Sequence, residues 1–394
     1  MVQGHPGKTT VLTINHPELA GIYLHIPFCR KACHYCNFHF STTLKLKNDW
    51  FHALLKEIDL TPGKEATVAD TIYFGGGTPS LLGPEEITGI LDTLRRHFTI
   101  ASDAEVTLEA NPDDITPHRA RAWRDAGINR LSIGIQSFRG EDLAWMNRAH
   151  DAEQAILAIS HIRDAGFVNY SIDLIYGVPG LDDQAWLDNV ERAISLGVPH
   201  LSCYGLTVEP ETALDKMIRL RKKEDVDADH QARQYLMLME RLEQAGYEHY
   251  EISNWALPGM RSRHNSAYWK GTPYFGFGPS AHAYDGRARR WNIANNALYI
   301  KALERNELPF TEEVLTPIEK FNESVMIALR TAEGIDLDTL RREWGEWTDP
   351  LLEDALPFLE QGQLLNEHGY LRLTREGRLF ADGIAATLFR SAGE

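Results

Sequence analysis

The chain has 394 residues, 43% hydrophobic and 24% charged, with a formal net charge of −16. That length asks for two or three domains, or one large α/β barrel with an appendage, and the acidic balance disfavours nucleic acid as a partner. No apolar run reaches the roughly 18–20 residues of a membrane span. The N-terminus lacks a secretory signal's apolar stretch, and four cysteines, three of them clustered, suit a reducing cytoplasm rather than a disulfide framework.

Residues 1–17 are polar, with Gly4, Pro6, Gly7 and Pro17, and are expected to form a loose lead-in. Residues 21–26 read as a buried strand that delivers a loop carrying Cys29, Cys33 and Cys36 in C-x3-C-x2-C spacing. Thiolates are soft ligands, so three on one loop point to an iron–sulfur cluster or zinc. A cubane held by three cysteines keeps one iron open to a small chelating molecule. The alternative is a Cys3His zinc site completed by His25, His34 or His39.

Helical spacing follows over 47–60, then strand 71–74 runs into Gly75-Gly76-Gly77-Thr78-Pro79. A helix opens near Pro84. Strands at 104–109, 130–135, 169–176 and 200–207 alternate with helices opening near Thr116-Pro117 and covering 151–165 and 183–196. Six such units predict an α/β fold with a parallel sheet, a partial (β/α)6 barrel over residues 18–208. In a parallel barrel, chemistry sits on loops after the strands. The cysteine loop, the glycine run, Glu109 and Gln136 all fall there, a convergence that a zinc staple would not need.

Beyond residue 208 the alternation stops. An extension over 209–309 is expected to hold charged helices within 215–245, a strand at 247–252, a long ordered loop at 253–285, and a hairpin turn at Asp285-Gly286. A C-terminal domain over 310–394 opens with a capping box, Thr316-Pro317-Ile318-Glu319. Helices at 317–331, 336–343, 350–361 and 375–388, with a hairpin over Leu364–Thr374, predict a winged-helix-like module. Its 8 Lys and Arg against 17 Asp and Glu make it a lid or packing domain rather than a DNA binder.

Five stretches in order resemble the oxygen-independent coproporphyrinogen III oxidase group of radical SAM proteins. They are the cysteine loop, Gly75–Pro79, Leu108–Pro112, Gly134–Ser137 and Asp173–Pro179. The resemblance implies a 4Fe-4S cluster on Cys29, Cys33 and Cys36, with S-adenosylmethionine (SAM) on the open iron. It places Tyr23, Tyr35 and Thr78 near that SAM, Gly76 and Gly77 against its methionine end, and Glu109 on its ribose or amine. Gln136, Arg148 and Asp173 match positions that contact a second SAM in the oxidase.

Two departures matter. The oxidase has a further cysteine two residues beyond the third, where Phe38 stands here, and its N-terminal extension has no counterpart ahead of the first strand. The variant is similar to the heme chaperones, a paralogue group that also carries H-N-x-x-Y-W. Here that motif is His264-Asn265-Ser266-Ala267-Tyr268-Trp269. The resemblance implies heme as cargo, with His264, Asn265, Tyr268 and Trp269 as candidate heme residues. It also implies delivery to respiratory-chain hemoproteins by a cytoplasmic protein in peripheral contact with the membrane. The alternative is a coproporphyrinogen III dehydrogenase, an enzyme of porphyrin biosynthesis.

The residues around the motif fit a planar ligand with anionic edges. Arg261, Arg263, Lys270, Arg287, Arg289 and Arg290 face one acid, Asp285, within 259–291, and aromatics are interleaved. His264 or His282 would supply an imidazole to iron. Single-stranded nucleic acid fits less well, and an aromatic core beneath solvated arginines is the plain alternative.

Overall fold

Six strands lie side by side in chain order: β1 (Glu18–Ile26), β2 (Thr67–Gly76), β3 (Thr99–Ala110), β4 (Arg130–Gln136), β5 (Tyr170–Tyr176) and β6 (His200–Gly205). All five pairings between neighbours are parallel. The structure, a computed structural model, describes residues 18–62 and 67–391, so the lead-in expected over 1–17 lies outside the described residues.

Parallel strands need crossovers. Helices Lys47–Leu60, Pro84–His97, Pro117–Ala126, Ala152–Asp164 and Asp183–Ser195 supply them, each within one or two residues of expectation where bounds were predicted. Local chemistry starts them: Pro84 and Pro117 sit in first turns, and Thr116, Asp151 and Asp182 cap the backbone. Strand side chains such as Leu24, Phe74, Leu108, Ile133, Leu174 and Leu201 are fully buried in one core with Trp50, Trp123 and Trp186 from the helices.

The barrel is partial because β1 and β6 pair with other strands rather than with each other. The extension adds β7 (Glu248–Glu251), β8 (Asn254–Ala256), β9 (Tyr274–Phe277), β10 (His282–Tyr284), β11 (Ala288–Asn292) and β12 (Phe310–Val314). β8 runs antiparallel to β6, and β9 runs parallel to β1. The strand order is β12-β11-β10-β9-β1-β2-β3-β4-β5-β6-β8-β7.

This corrects the expectation of a long loop at 253–285. That stretch holds β8, a short helix Arg263–Trp269, β9 and β10. The expected turn at Asp285-Gly286 joins β10 to β11. Buried Glu57, on the first helix, ties the extension to the barrel. It accepts from the Gly278 amide at 2.8 Å, from Asn292 at 2.5 Å and from the Tyr299 hydroxyl at 2.5 Å.

The C-terminal module has its own core around Phe321, Val325, Leu340, Leu351, Leu371 and Ile384. It combines helix Pro317–Leu329 with a three-stranded sheet of β13 (Ile335–Asp336), β14 (Leu364–Glu367) and β15 (Tyr370–Leu373), ordered β13-β15-β14. Two expectations need correction. β12 pairs with β11, so residues 310–314 belong to the extension's sheet. The expected break between two helices falls at Trp344 (φ −134°, ψ 39°), inside Leu337–Glu360, and the second helix begins soon after it, ahead of the expected residue 350. The last helix is a 3-10 turn, Gly377–Phe380, followed by Ala381–Thr387.

Candidate functional site

The cysteine loop leaves β1 at its C-terminal end and is fixed at base and tip. Fully buried Phe28 meets Trp50 edge-on at 5.5 Å, and the Cys29 amide donates to the Ser41 carbonyl at 3.0 Å. At the tip, the His34 amide donates to Met146, the Leu214 amide donates to the His34 carbonyl, and Asn147 reaches the Ala32 carbonyl. Cys29, Cys33 and Cys36 are half-buried and free.

Two donors are aimed at sulfur: the Thr78 hydroxyl at Cys29 Sγ, 3.3 Å, and Arg148 Nη1 at Cys33 Sγ, 3.2 Å. Burial pushes the Cys29 thiol up to about 11 and raises Cys36, so an incoming metal must displace protons. Donors to the sulfurs are what an iron–sulfur centre uses to tune its potential, and the loop fits a three-cysteine cluster.

The histidines that would complete a zinc site hold other partners. His25 Nε2 bonds the His39 carbonyl oxygen at 2.9 Å, and its Nδ1 lies 3.1 Å from the Tyr23 hydroxyl. His39 bonds Asn296, and His34 bonds the Trp145 carbonyl. Among the described residues, no three His, Cys, Asp or Glu side chains converge on a single-ion site. A cubane puts each thiolate on a different iron, so its cysteines need not converge.

The expected SAM residues gather at the same end of the sheet. Tyr23 stacks on Tyr73 at 6.2 Å, and the Tyr73 hydroxyl donates to Glu109 Oε1 at 2.7 Å. Burial, then the charge of Asp173, pushes the Glu109 carboxyl up to about 8. Asp173 is pushed up to about 6 by burial, restrained by Arg148 and Arg130.

Arg148 Nη2 donates to Asn111 Oδ1 at 2.8 Å and to the Gly134 carbonyl at 2.6 Å. Its Nε is buried without a partner, an orphan donor that suits an anionic ligand group. Gln136 is buried at a φ of +69°, an uncommon conformation for a non-glycine residue, at the switch from β4 to its loop. Tyr35 packs against the core, and burial raises its hydroxyl.

The glycines have a nearer reason than a ligand. A Cβ on Gly77 would stand 2.6 Å from the Phe28 carbonyl oxygen, and one on Gly76 (φ +105°) would stand 2.7 Å from the His25 ring. They let β2 close onto the root of the cysteine loop.

The motif 264–269 divides. His264 is 2% exposed, stacked on Tyr73 at 4.9 Å. Its Nδ1 lies 2.7 Å from the Thr71 hydroxyl and its Nε2 2.9 Å from the Tyr268 hydroxyl. Burial, then Arg130, pushes the imidazole down to about 3. With both nitrogens engaged, His264 acts here as a strut between β2 and Tyr268 rather than standing as a free imidazole. Asn265 lines neither cleft described below.

Tyr268 and Trp269 do line a cleft of about 750 Å3, within the roughly 300–1,000 Å3 of small-molecule and cofactor sites. One wall is the extension's sheet face, where Tyr284 pairs with both Tyr274 and Arg289, and His282 with Trp291, across neighbouring strands. The other wall is helix Pro317–Leu329, through Lys320, Glu323, Ser324 and Ile327, with Trp344 from the kink.

A second cleft of about 410 Å3 shares Tyr268, Tyr274 and His282 with the first and reaches Asn37, Phe38 and His39 of the cysteine loop. Sequence reasoning missed the helical wall, which lies on another module, and Tyr73, whose signal was its place two residues before the glycine run.

Four of the six cations of the expected basic surface are ion-paired. Arg261 pairs with Glu248 and Glu333, Arg263 with Asp70 and Asp103, Arg289 with Glu323, and Arg290 with Glu312. In the larger cleft, Lys270, Arg289 and Lys320 face Glu313, Glu323 and Glu343.

The Radical SAM superfamily matches residues 23–193, and the HemN C-terminal domain matches residues 315–380. The heme chaperone HemW of Mycobacterium tuberculosis is 39% identical over 93% of this chain and 94% of its own length. The heme chaperone HemW of Escherichia coli is 32% identical over 92% and 96%. This chain belongs to the HemW family of heme chaperones.

Among solved structures, the Escherichia coli coproporphyrinogen III oxidase HemN, a radical SAM enzyme, superposes with a TM-score of 0.83 at 25% identity, over 95% of this chain and 91% of the other. That likeness shows the shared radical SAM α/β scaffold, and the family implies a 4Fe-4S cluster and SAM. In this HemW-family chain, Phe38 is 65% exposed and lines the smaller cleft from the cysteine loop.

Proposed function

We propose that this protein carries heme in the aromatic cleft, holds a 4Fe-4S cluster on Cys29, Cys33 and Cys36 with SAM at the open iron, and passes heme to acceptor hemoproteins. One observation carries the reading. A cleft walled by Tyr268, Trp269, Tyr274, Tyr284, Trp291 and Trp344 shares three residues with a second cleft that reaches the cluster loop. Rings of that number offer stacking faces to a planar macrocycle.

When bound, the cluster and SAM supply one-electron chemistry at the barrel mouth. The chain's own residues do the rest. Arg148 and Thr78 donate to sulfur, and Arg148 Nε remains for an anionic group. Glu109 holds a proton that a cationic ligand would expel. The proposed recipients, respiratory-chain hemoproteins met in peripheral contact with the membrane, rest on the family resemblance. Among the described residues, no helix is long and apolar enough to cross a membrane.

The test is anaerobic reconstitution, hemin loading, and mixing with an apo-hemoprotein. Stoichiometric uptake followed by transfer is expected. Failure to bind hemin, or conversion of coproporphyrinogen III with consumption of SAM, would replace this reading with the oxidase one.

A further inference from the structure

Three imidazoles face the clefts, and they differ in availability. His25 and His39 are held by hydrogen bonds. His282 is exposed, lines both clefts, and among the described residues no hydrogen bond or ion pair engages its ring. We propose that His282 is the protein ligand to the iron of a heme lying between β10–β11 and helix Pro317–Leu329. The proposal rests on the heme-carrier reading and deepens it.

The mount is rigid. β10 is paired on both sides, by β9 and β11, and a Cβ on Gly276 of β9 would stand 1.8 Å from the His282 carbonyl oxygen. The Trp291 ring, opposite His282 in register, stacks on the imidazole at 6.2 Å and 29°. That contact sets one face of the ring against the indole. Burial, then the nearby Arg289, lowers the pKa of the imidazole, so at neutral pH its lone pair is free for metal.

Competing ligands are poorer. His264 has both nitrogens engaged. No methionine or cysteine lines either cleft. The phenols of Tyr268, Tyr274 and Tyr284 are pushed up by burial and would have to lose a proton first.

Charge does not substitute for coordination, because the three cations lining the larger cleft are matched in number by three carboxylates, with Arg289 paired to Glu323. A single imidazole also suits a carrier. The opposite axial position stays open to an acceptor's ligand, and handover is a ligand exchange: the acceptor–iron bond forms, the His282–iron bond breaks, and no electron moves.

The test compares cluster-loaded wild type with His282→Ala, titrated with hemin and with metal-free protoporphyrin IX. The variant is expected to bind hemin more than about tenfold more weakly, since even outer-shell partners of a metal ligand are worth that much. It should lose the imidazole-ligated heme spectrum, regain it with added free imidazole, and bind protoporphyrin as wild type does. An unchanged hemin spectrum and affinity would overturn the ligand assignment. Equal weakening of hemin and protoporphyrin would overturn it too, by showing a packing role. If wild type binds hemin, only this assignment is lost; if it does not, the heme-carrier reading itself falls.

Discussion

The barrel mouth and the aromatic cleft sit side by side yet treat charge in opposite ways. At the mouth, Glu109 and Asp173 are carboxyls pushed upward by burial, and Arg148 keeps an unpartnered buried Nε. The Arg148 Nε is unsatisfied without a ligand and both carboxyls are perturbed by burial, as at a site for a charged cofactor. In the cleft, cations and carboxylates balance, and the free features are ring faces and the His282 imidazole. A polar, pinned mouth suits a resident cofactor, whereas a neutral, aromatic cleft with one exchangeable ligand suits a cargo that must leave. Between them stands His264, a buried strut touching Thr71, Tyr73 and Tyr268.

The comparison can be broken hardest at the strut. His264→Ala removes two buried hydrogen bonds and leaves a cavity, so chemical denaturation should show a loss of about 3 kcal/mol. The heme of the folded variant should keep its imidazole-ligated spectrum. Loss of that ligation alone, with stability intact, would return His264 to iron.

Next comes the pH dependence. The Glu109 pKa is raised in the folded state to about 8 from 4.5. Its contribution is therefore fully present below pH 4.5 and is lost as pH rises through 8. Glu109→Gln cannot ionise, so the ligand-free variant should gain stability over wild type across that window. The gain should reach about 2–4 kcal/mol at pH 9, while SAM binding weakens.

His264 titrates in the other sense. Its folded pKa of about 3 lies below the ordinary 6.5, so its contribution is present above pH 6.5 and lost as pH falls toward 3. Thermal melts of both variants across pH 4–9 would separate the two regions.

Smaller effects sharpen the claim that the basic surface is structural. Arg263→Ala removes partly exposed ion pairs to Asp70 and Asp103 and should cost about 1 kcal/mol, less at high salt. Phe38→Ala should change stability by less than about 0.5 kcal/mol, because the ring is exposed. Hemin titration of that variant would show whether the ring lining the smaller cleft matters to cargo.

The six strand–helix units were legible because they carry local signals: a β-branched or aromatic run and, for most of the helices, a cap or first-turn proline, as at Thr116-Pro117 and Asp151. β9 and β10 were not. Tyr274–Phe277 is four residues with a glycine inside, and its order comes from pairing with β1, a partner far away in sequence.

The site followed the same division. Cys29, Cys33, Cys36, Glu109 and Asp173 stood in short ordered motifs. The cleft's second wall, Lys320 to Ile327 and Trp344, belongs to another module and had no local mark. Charge counting misled around residues 259–291 because a sequence shows Arg261 and Arg263 but not the acids that reach them from Glu248, Glu333, Asp70 and Asp103. For a related reason the strut role of His264 was hidden: its motif was visible, its two hydrogen-bond partners were not.

Cofactor and cargo are expected to occupy separate sites. The direct measurement is a hemin titration, followed by absorption, of the cluster-loaded protein and of the triple variant Cys29→Ala, Cys33→Ala, Cys36→Ala. The account predicts that the variant loses the iron–sulfur cluster yet takes up hemin with the same stoichiometry and the same imidazole-ligated spectrum. Loss of hemin binding together with the cysteines would place the heme on the loop and contradict it.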